Sequence, residues 1–527
     1  MKLLAASLLT VCSLVALADA VDYERQAITI AMTQEPPTLD STRATDTISA
    51  FALGHSVEGL VAYDRRGRIT AGVAESWEIE ADRMVFRLRD NSTWSNGTPV
   101  TAHDFVYAWQ RINDPAVAAP FAAIMHPILN AAEAQRGEVP PSSLGVRAID
   151  DRTLEVRLAG PCGYCLGLMA HTTFLPINEA FHRQVGEAYG ADADKLITNG
   201  PFTIDAWVHS ASMKFSRNPD YWAADRIKLN EINVGYITED NRSRLNLFRD
   251  GEIALVRLGA ETVKDAADQG LRIRTFLSGG VSYLTINQRE GKVGSDVRVR
   301  RAISLAFDGD AYVNRVIGIP GYRATSTFFP AWLQGVEGKF VDEFPPAPAE
   351  YDPGKARALI EEVRQEGKLA PITLLTVASP TGRKIAEYLQ GVLQGNLGMD
   401  VRVDQQTLKQ YLEKSRGGQF DVGLASWYPD FDDIVTYADL LVSWNPNNRG
   451  GYVNPVYDET FRILQGSMDA QERYQAAAEL QRIIQVDVPV IPMAETGSAY
   501  VQHPKLRGAI RRVMAQDPDY RFAEVLP

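Results

Sequence analysis

The chain has 527 residues, of which 45% are hydrophobic and 23% charged, with a formal net charge of −12. Such a length exceeds one ordinary domain and predicts two or three lobes. The acidic balance, with no run of basic residues, speaks against nucleic-acid binding, which needs a concentrated basic patch.

At the N-terminus, Lys2 precedes an apolar run over residues 3–17, and Ala18-Asp19-Ala20 fits a small-x-small cleavage site. Residues 1–20 are therefore expected to be a secretory signal peptide cleaved after Ala20, since the run is too short for a membrane span. Cleavage removes one Lys and one Asp, so the net charge stays at −12. Leu9-Thr10-Val11-Cys12 is a poor lipidation site, because Val precedes the Cys and the apolar run continues past it. No later stretch reaches the ~18 apolar residues of a span.

Ala27–Met32 is apolar and β-branched, a strand. Residues 35–40 are turn-rich, 41–47 polar and loop-like, and 51–60 apolar at helical spacing. The segment 85–89 alternates as a strand, and 94–100 is a turn. Thr101 then serves as the N-cap of a helix, with Asp104 three residues on. Cys162 and Cys165 remain after cleavage, and C-x-x-C in an exported chain predicts a short-loop disulfide or two free thiols. A redox motif would need a thioredoxin-like strand before a helix, whereas Pro161 precedes the first Cys. Zinc ligation with His171 and His182 lacks a recognised spacing.

Further on, Asp352-Pro353 opens a helix with Ala356, Leu359, Ile360 and Val363 on one face, and Gly367 lies past its end. Ile372–Val377 is a strand, 383–397 a helix, and 401–403 a strand followed by a short helix. The stretch 420–433 then begins as a strand and breaks at Tyr428-Pro429, since proline removes a donor. This βαβαβ pattern predicts a parallel sheet with crossover helices. Its last strand delivers Trp427, Tyr428 and the acids Asp430, Asp432 and Asp433 to a carboxyl end, where open α/β sheets bind ligands. An acidic surface loop is the simpler alternative.

The dispersed text resembles extracellular solute-binding protein family 5, the peptide-binding components of ABC importers. The resemblance rests on Gly72-Val73-Ala74-Glu75-Ser76-Trp77, Trp94-Ser95-Asn96-Gly97-Thr98-Pro99, Asp104-Phe105-Val106-Tyr107, Thr198-Asn199-Gly200-Pro201-Phe202 and Arg217-Asn218-Pro219-Asp220-Tyr221-Trp222. Asp296-Val297-Arg298, the stretch 420–433 and Asp487-Val488-Pro489-Val490-Ile491-Pro492 extend it across the mature chain. It implies an α/β, two-lobed periplasmic-binding-protein fold, type II-like and of cluster C, with an additional inserted subdomain and a hinge of two crossing strands. On that pattern 21–57, 188–280 and 498–527 form lobe I, 58–187 the inserted lobe II, and 281–497 lobe III. The implied role is a monomeric periplasmic protein, without cofactor or metal, that binds oligopeptides between closing lobes and delivers them to ABC permease subunits. The same family fold also takes nickel complexes, haem, sugars or opines.

By the same resemblance Asp430 falls on the position that pairs with a peptide's α-ammonium. Ser426 and Tyr428 flank it, Trp427 falls on a pocket aromatic, Tyr107 matches a ligand-touching Tyr of the lobe II helix, and Thr45, Asp46 and Thr47 fall on a loop contacting peptide backbone. The chain departs from the enteric oligopeptide binders at four positions. Leu424 and Gly382 stand where an Arg and a His receive the ligand carboxylate, and Gly280 and Tyr428 stand at the positions of their cysteine pair. Arg383, Lys414, Arg416 and Arg449 are candidates to replace the missing cation, though each is more often a solvated surface charge. A hydrolase finds little support: Gly54-His55-Ser56-Val57-Glu58-Gly59 has one residue too many for a nucleophile elbow, and no H-E-x-x-H occurs.

Overall fold

A computed structural model describes residues 20–514 and 516–527; the expected signal peptide, up to its last residue, and Cys12 lie outside the described residues. Among the described residues no helix is long and apolar enough to cross a membrane.

Three larger sheets organise the chain. Ala27–Met32 runs parallel to Glu231–Ile237 in a five-stranded sheet completed by Val21–Asp22, Ser212–Arg217 and Phe202–Val208. A four-stranded antiparallel sheet comes entirely from the intervening sequence, in the order Ala74–Ile79, Arg83–Leu88, Thr153–Arg157, Val146–Asp150. The seven-stranded sheet is mixed. Val422–Trp427 and Val401–Gln406 flank Ile372–Val377, both parallel to it, as the βαβαβ pattern requires. The crossover helices Pro380–Leu397 and Leu408–Arg416 connect them, the first capped by Ser379 and ended by the left-handed Gly398.

Two 13-residue strands, Arg274–Ile286 and Val490–Gln502, run antiparallel through that sheet. At one end Val490–Gln502 pairs with Leu255–Leu258; at the other Arg274–Ile286 pairs with Val422–Trp427. Their register shifts between Leu277 and Val281, around Ser278-Gly279-Gly280. Gly279 has φ +80°, and a Cβ there would meet the Val513 side chain at 2.2 Å, so neither the conformation nor the space admits a larger residue.

The first helix spans Thr47–Ser56, four residues earlier than the apolar spacing over 51–60 predicts. The Asp46 carboxylate explains the shift: it accepts from the backbone N–H groups of Ile48 and Ser49, starting the helix in polar sequence. Past Ser56 the chain is drawn out of the helix by Glu58, whose N–H donates to Asn199 Oδ1 and whose buried carboxylate accepts from the Tyr221 hydroxyl and Trp222 Nε1. The second helix, Ala102–Ile112, begins as expected, with the Thr101 N–H donating to the Asp104 carboxylate at 2.7 Å.

Cys162 and Cys165 are disulfide-bonded. Their loop packs against the stretch after Val422–Trp427: Tyr164 stacks on Phe431 with ring centroids 5.0 Å apart. Beneath Phe431, Arg473 donates to both oxygens of Asp433 at 2.8 and 2.9 Å, with both side chains 7% exposed. Removing one partner of such a buried pair strands the other charge in apolar surroundings. Arg473→Met should therefore lower the unfolding free energy in urea by about 3–5 kcal/mol, and a loss below about 1 kcal/mol would mean that Asp433 is not held by this pair.

Candidate functional site

A cavity of about 420 Å³ opens at the carboxyl end of Val422–Trp427. Its walls come from distant stretches: residues within 44–63 and 167–175, Phe121, Pro201, Arg257, Phe276 and Ser278, 428–430, and 512–514 with Gln516, Asp517 and Arg521. Such a volume lies within the range of about 300–1,000 Å³ usual for small-ligand sites.

Asp430 lines this cavity, placed by the proline that ends the strand. Its backbone N–H donates to Thr436 Oγ1 at 3.1 Å, and the same oxygen accepts from Trp427 Nε1 at 3.4 Å, so one threonine holds both sides of the turn. The Asp430 carboxylate itself has no cation or donor among the described residues, and burial pushes its carboxyl up to about 6. Asp432 is also raised to about 6, by burial and then by the adjacent Asp433 charge, with Lys339 opposing. Asp439 is pushed to about 8 by burial and the Asp430 charge, and its buried Oδ1 has no partner. The loop thus gathers negative charge with little internal compensation, an arrangement that favours a cationic group from outside.

The other expected positions divide. Thr45, Asp46 and Thr47 line the same cavity, as does Tyr428, whose ring is 50% exposed. The Asp46 carboxylate is occupied in capping the first helix and in accepting from Ser49 Oγ at 2.7 Å. Arg111 donates to the Asp40 carboxylate and so ties this loop to the second helix. Trp427 and Ser426 stand beside the cavity but do not line it; Trp427 packs onto the main core and Ser426 faces solvent. Tyr107 also lies off the cavity, its hydroxyl 2.8 Å from His182 Nδ1.

The departures at the expected carboxylate end have structural counterparts. A Cβ on Gly382 would meet the Val377 carbonyl oxygen at 2.3 Å, so the backbone there excludes a side chain. Leu424 packs with the core of the parallel sheet, and its carbonyl accepts from the Tyr411 hydroxyl at 2.8 Å. The Tyr428 ring fills the space over Gly280, where a Cβ would come within 2.7 Å of it. None of the suggested replacements lines the cavity. Lys414 pairs with Asp404 at 2.6 Å, while Arg416 and Arg449 border a separate surface depression.

The cavity contains a cation that sequence reasoning passed over. Arg257, on the strand Leu255–Leu258, is an exposed side chain in an otherwise buried run and faces the cavity. The isolated charge in Leu-Val-Arg-Leu was the available signal, but nothing local says which side of the strand a ligand would occupy. Arg512 and Arg521 also line the wall, both engaged with the buried Asp519 carboxylate.

Residues 68–449 match the bacterial extracellular solute-binding proteins, family 5 (middle). The chain is 29% identical over 463 residues to the periplasmic oligopeptide-binding protein OppA of Salmonella typhimurium, covering 86% of this chain and 83% of that one. It is 30% identical over 469 residues to the probable deoxycholate-binding periplasmic protein YgiS of Escherichia coli, covering 87% and 86%. Among solved structures it overlays on the unliganded open form of the murein tripeptide-binding protein MppA with a TM-score of 0.82, at 26% identity, over 96% of this chain and 99% of that one. With its mixed α/β sheets, its cavity between distant stretches and a match over residues 68–449, the chain belongs to the bacterial extracellular solute-binding proteins of family 5.

Proposed function

We propose that this protein is the exported, non-enzymatic binding component of an ABC importer, taking short peptides in extended form and handing them to membrane permease subunits. The observation that carries the peptide reading is Asp430, a half-buried carboxylate lining the cavity with no cation against it among the described residues. An α-ammonium supplies that cation, and a charge-assisted hydrogen bond of this kind contributes about 1.5–3 kcal/mol. The hydroxyls of Thr45 and Thr47 line the cavity too, in reach of a ligand's main chain. Relatives named as periplasmic peptide binders support the compartment and the cargo.

The lobes proposed are 21–57 with 188–280 and 498–527, 58–187, and 281–497. The four-stranded sheet formed wholly within 74–157 supports the second as an insertion. The long strand pair with its glycine-marked register shift supports a hinge, and likeness to an unliganded open form fits a cleft awaiting closure. A hydrolytic role is disfavoured at the Gly54–Gly59 stretch: Ser56 Oγ donates to the Ala52 carbonyl, while His55 accepts from the Tyr520 N–H inside a buried network. The similarity to a probable deoxycholate-binding protein supports a second reading, a non-peptide solute in the same cleft.

Native mass spectrometry of freshly purified protein, followed by release and sequencing of the cargo, tests the reading. A ladder of short peptides is expected; a single non-peptide mass would replace it with the second reading. With synthetic peptides, N-acetylation should weaken binding at least about tenfold, and Asp430→Asn should abolish the difference between acetylated and free forms. If both forms bind wild-type protein equally, the ammonium role of Asp430 is wrong.

The pH dependence follows from the raised Asp430 carboxyl. An ammonium pairs with the ionised form, so affinity should be level above about pH 7 and fall about tenfold by pH 5, as a group titrating near 6 loses its charge. Asp432, facing Asp433 and Lys339, protonates in the same range and deepens the loss, and Asp439 loses charge already below about pH 8. Stability without ligand runs the other way. A carboxyl raised in the fold contributes stability that is present below about pH 4 and lost as pH rises through about 6, so Asp430→Asn should melt higher than wild type at pH 8 and equal to it at pH 4.

A further inference from the structure

We propose that Arg257 is the anion-binding residue of the cleft and that it receives a carboxylate of the bound peptide. The inference rests on the peptide reading above and adds the opposite end of the ligand. Arg257 lines the same cavity as Asp430 but stands on a different wall, on the strand Leu255–Leu258 paired to Val490–Gln502. No carboxylate of the described residues lies within salt-bridge distance of its guanidinium, and no hydrogen bond from the protein engages it. The acids nearby, Asp240, Glu239 and Glu261, act on its neighbour Arg244 instead.

What surrounds Arg257 also points to an anion. Arg244, on the helix Asn241–Arg249, feels the Arg257 charge strongly enough to be lowered by it, second only to burial, and its buried Nε has no acceptor. Arg244 also donates to Asn241 Oδ1, but its Nε stays unmet beside the Arg257 charge. The charges of Arg257 and Tyr428 both act on Tyr322, and neither phenol makes a hydrogen bond among the described residues. Guanidinium is a planar fork that matches a carboxylate through two parallel hydrogen bonds, with the tyrosine hydroxyls available as further donors. Phe276 adds an apolar surface to the same cavity.

Asp430 and Arg257 come from separate stretches that line one cavity of about 420 Å³, a volume in the usual range for a small ligand. A ligand lying from Asp430 to Arg257 has its ammonium at one carboxylate and its own negative charge at the guanidinium. That charge is either the C-terminal carboxylate or an acidic side chain.

Titration calorimetry with defined tripeptides separates the sources and tests the residue. The probes are Ala-Ala-Ala, its C-terminal amide and its N-acetyl form, together with the amides of Ala-Glu-Ala and Ala-Gln-Ala, against wild type, Arg257→Gln and Arg257→Lys. If the C-terminus is the anion, amidation weakens wild-type binding at least about tenfold, and Arg257→Gln binds acid and amide alike. If an acidic side chain is the anion, wild type ignores amidation, prefers Glu over Gln at least about tenfold, and loses that preference in Arg257→Gln. In either case Arg257→Lys retains part of the preference, because it keeps the charge without the fork. Unchanged preferences in Arg257→Gln, or a wild type with neither preference, overturn the proposal. The acetylated probe keeps the two readings apart: weakened binding of that probe with a silent Arg257→Gln defeats only the role of Arg257. Equal binding of acetylated and free peptide defeats the ammonium role of Asp430 on its own terms.

Discussion

The pairing of Arg274–Ile286 with Val490–Gln502 is the constraint on which the rest of the molecule depends. Their backbone hydrogen bonds carry the chain from the edge strand Leu255–Leu258 to the parallel strands around Ile372–Val377. A β-ladder resists shear along its length but tolerates twist and bending where its register breaks. The break lies at Ser278-Gly279-Gly280, beside the cavity, and Ser278 is itself part of the wall. The site and the element best able to flex therefore coincide, and any rotation of one sheet half on the other changes the cleft first.

The electrostatics of the cleft follow a division of labour between buried charges. Those that hold the fold are paired: Arg473 with Asp433, Arg111 with Asp40, and Arg512 and Arg521 with Asp519. Asp430, partly buried, and Arg257, exposed, line the same cavity and have no charged partner among the described residues. An isolated charge in a partly desolvated site is costly to the free protein, and that cost is relieved when a ligand brings the complement. The carboxyls of Asp430, Asp432 and Asp439 all sit above their ordinary values, which is the mark of this incomplete compensation.

Much of the fold was legible because the local signals agreed with one another. Ala27–Met32 and Ile372–Val377 are β-branched runs bracketed by polar or turn-forming residues, and the structure gives them those same bounds. Asp430 could be set at the carboxyl end of a strand because Pro429 forbids the strand to continue. The misplaced start of the first helix had a local cause, an Asp46 cap preceding polar residues whose helical state depends on that cap. Other features were out of reach of local reading. Tyr107 meets His182 across 75 positions, and the Arg257 charge reaches Tyr322 through the folding of separate segments. Which face of a strand becomes a cleft wall is decided by how the sheets are joined, and neither charge nor periodicity within Leu-Val-Arg-Leu records it.

The Cys162–Cys165 bond closes a very short loop, and short loops restrict an unfolded chain little; the entropic contribution is about 2 kcal/mol, well under half that of a bond closing about a hundred residues. Its main consequence is local. The bond fixes the turn that holds Tyr164 against Phe431, one residue from Asp430. The acidic loop therefore rests against a turn closed by a covalent bond, and reducing that bond would loosen the stack behind Asp430.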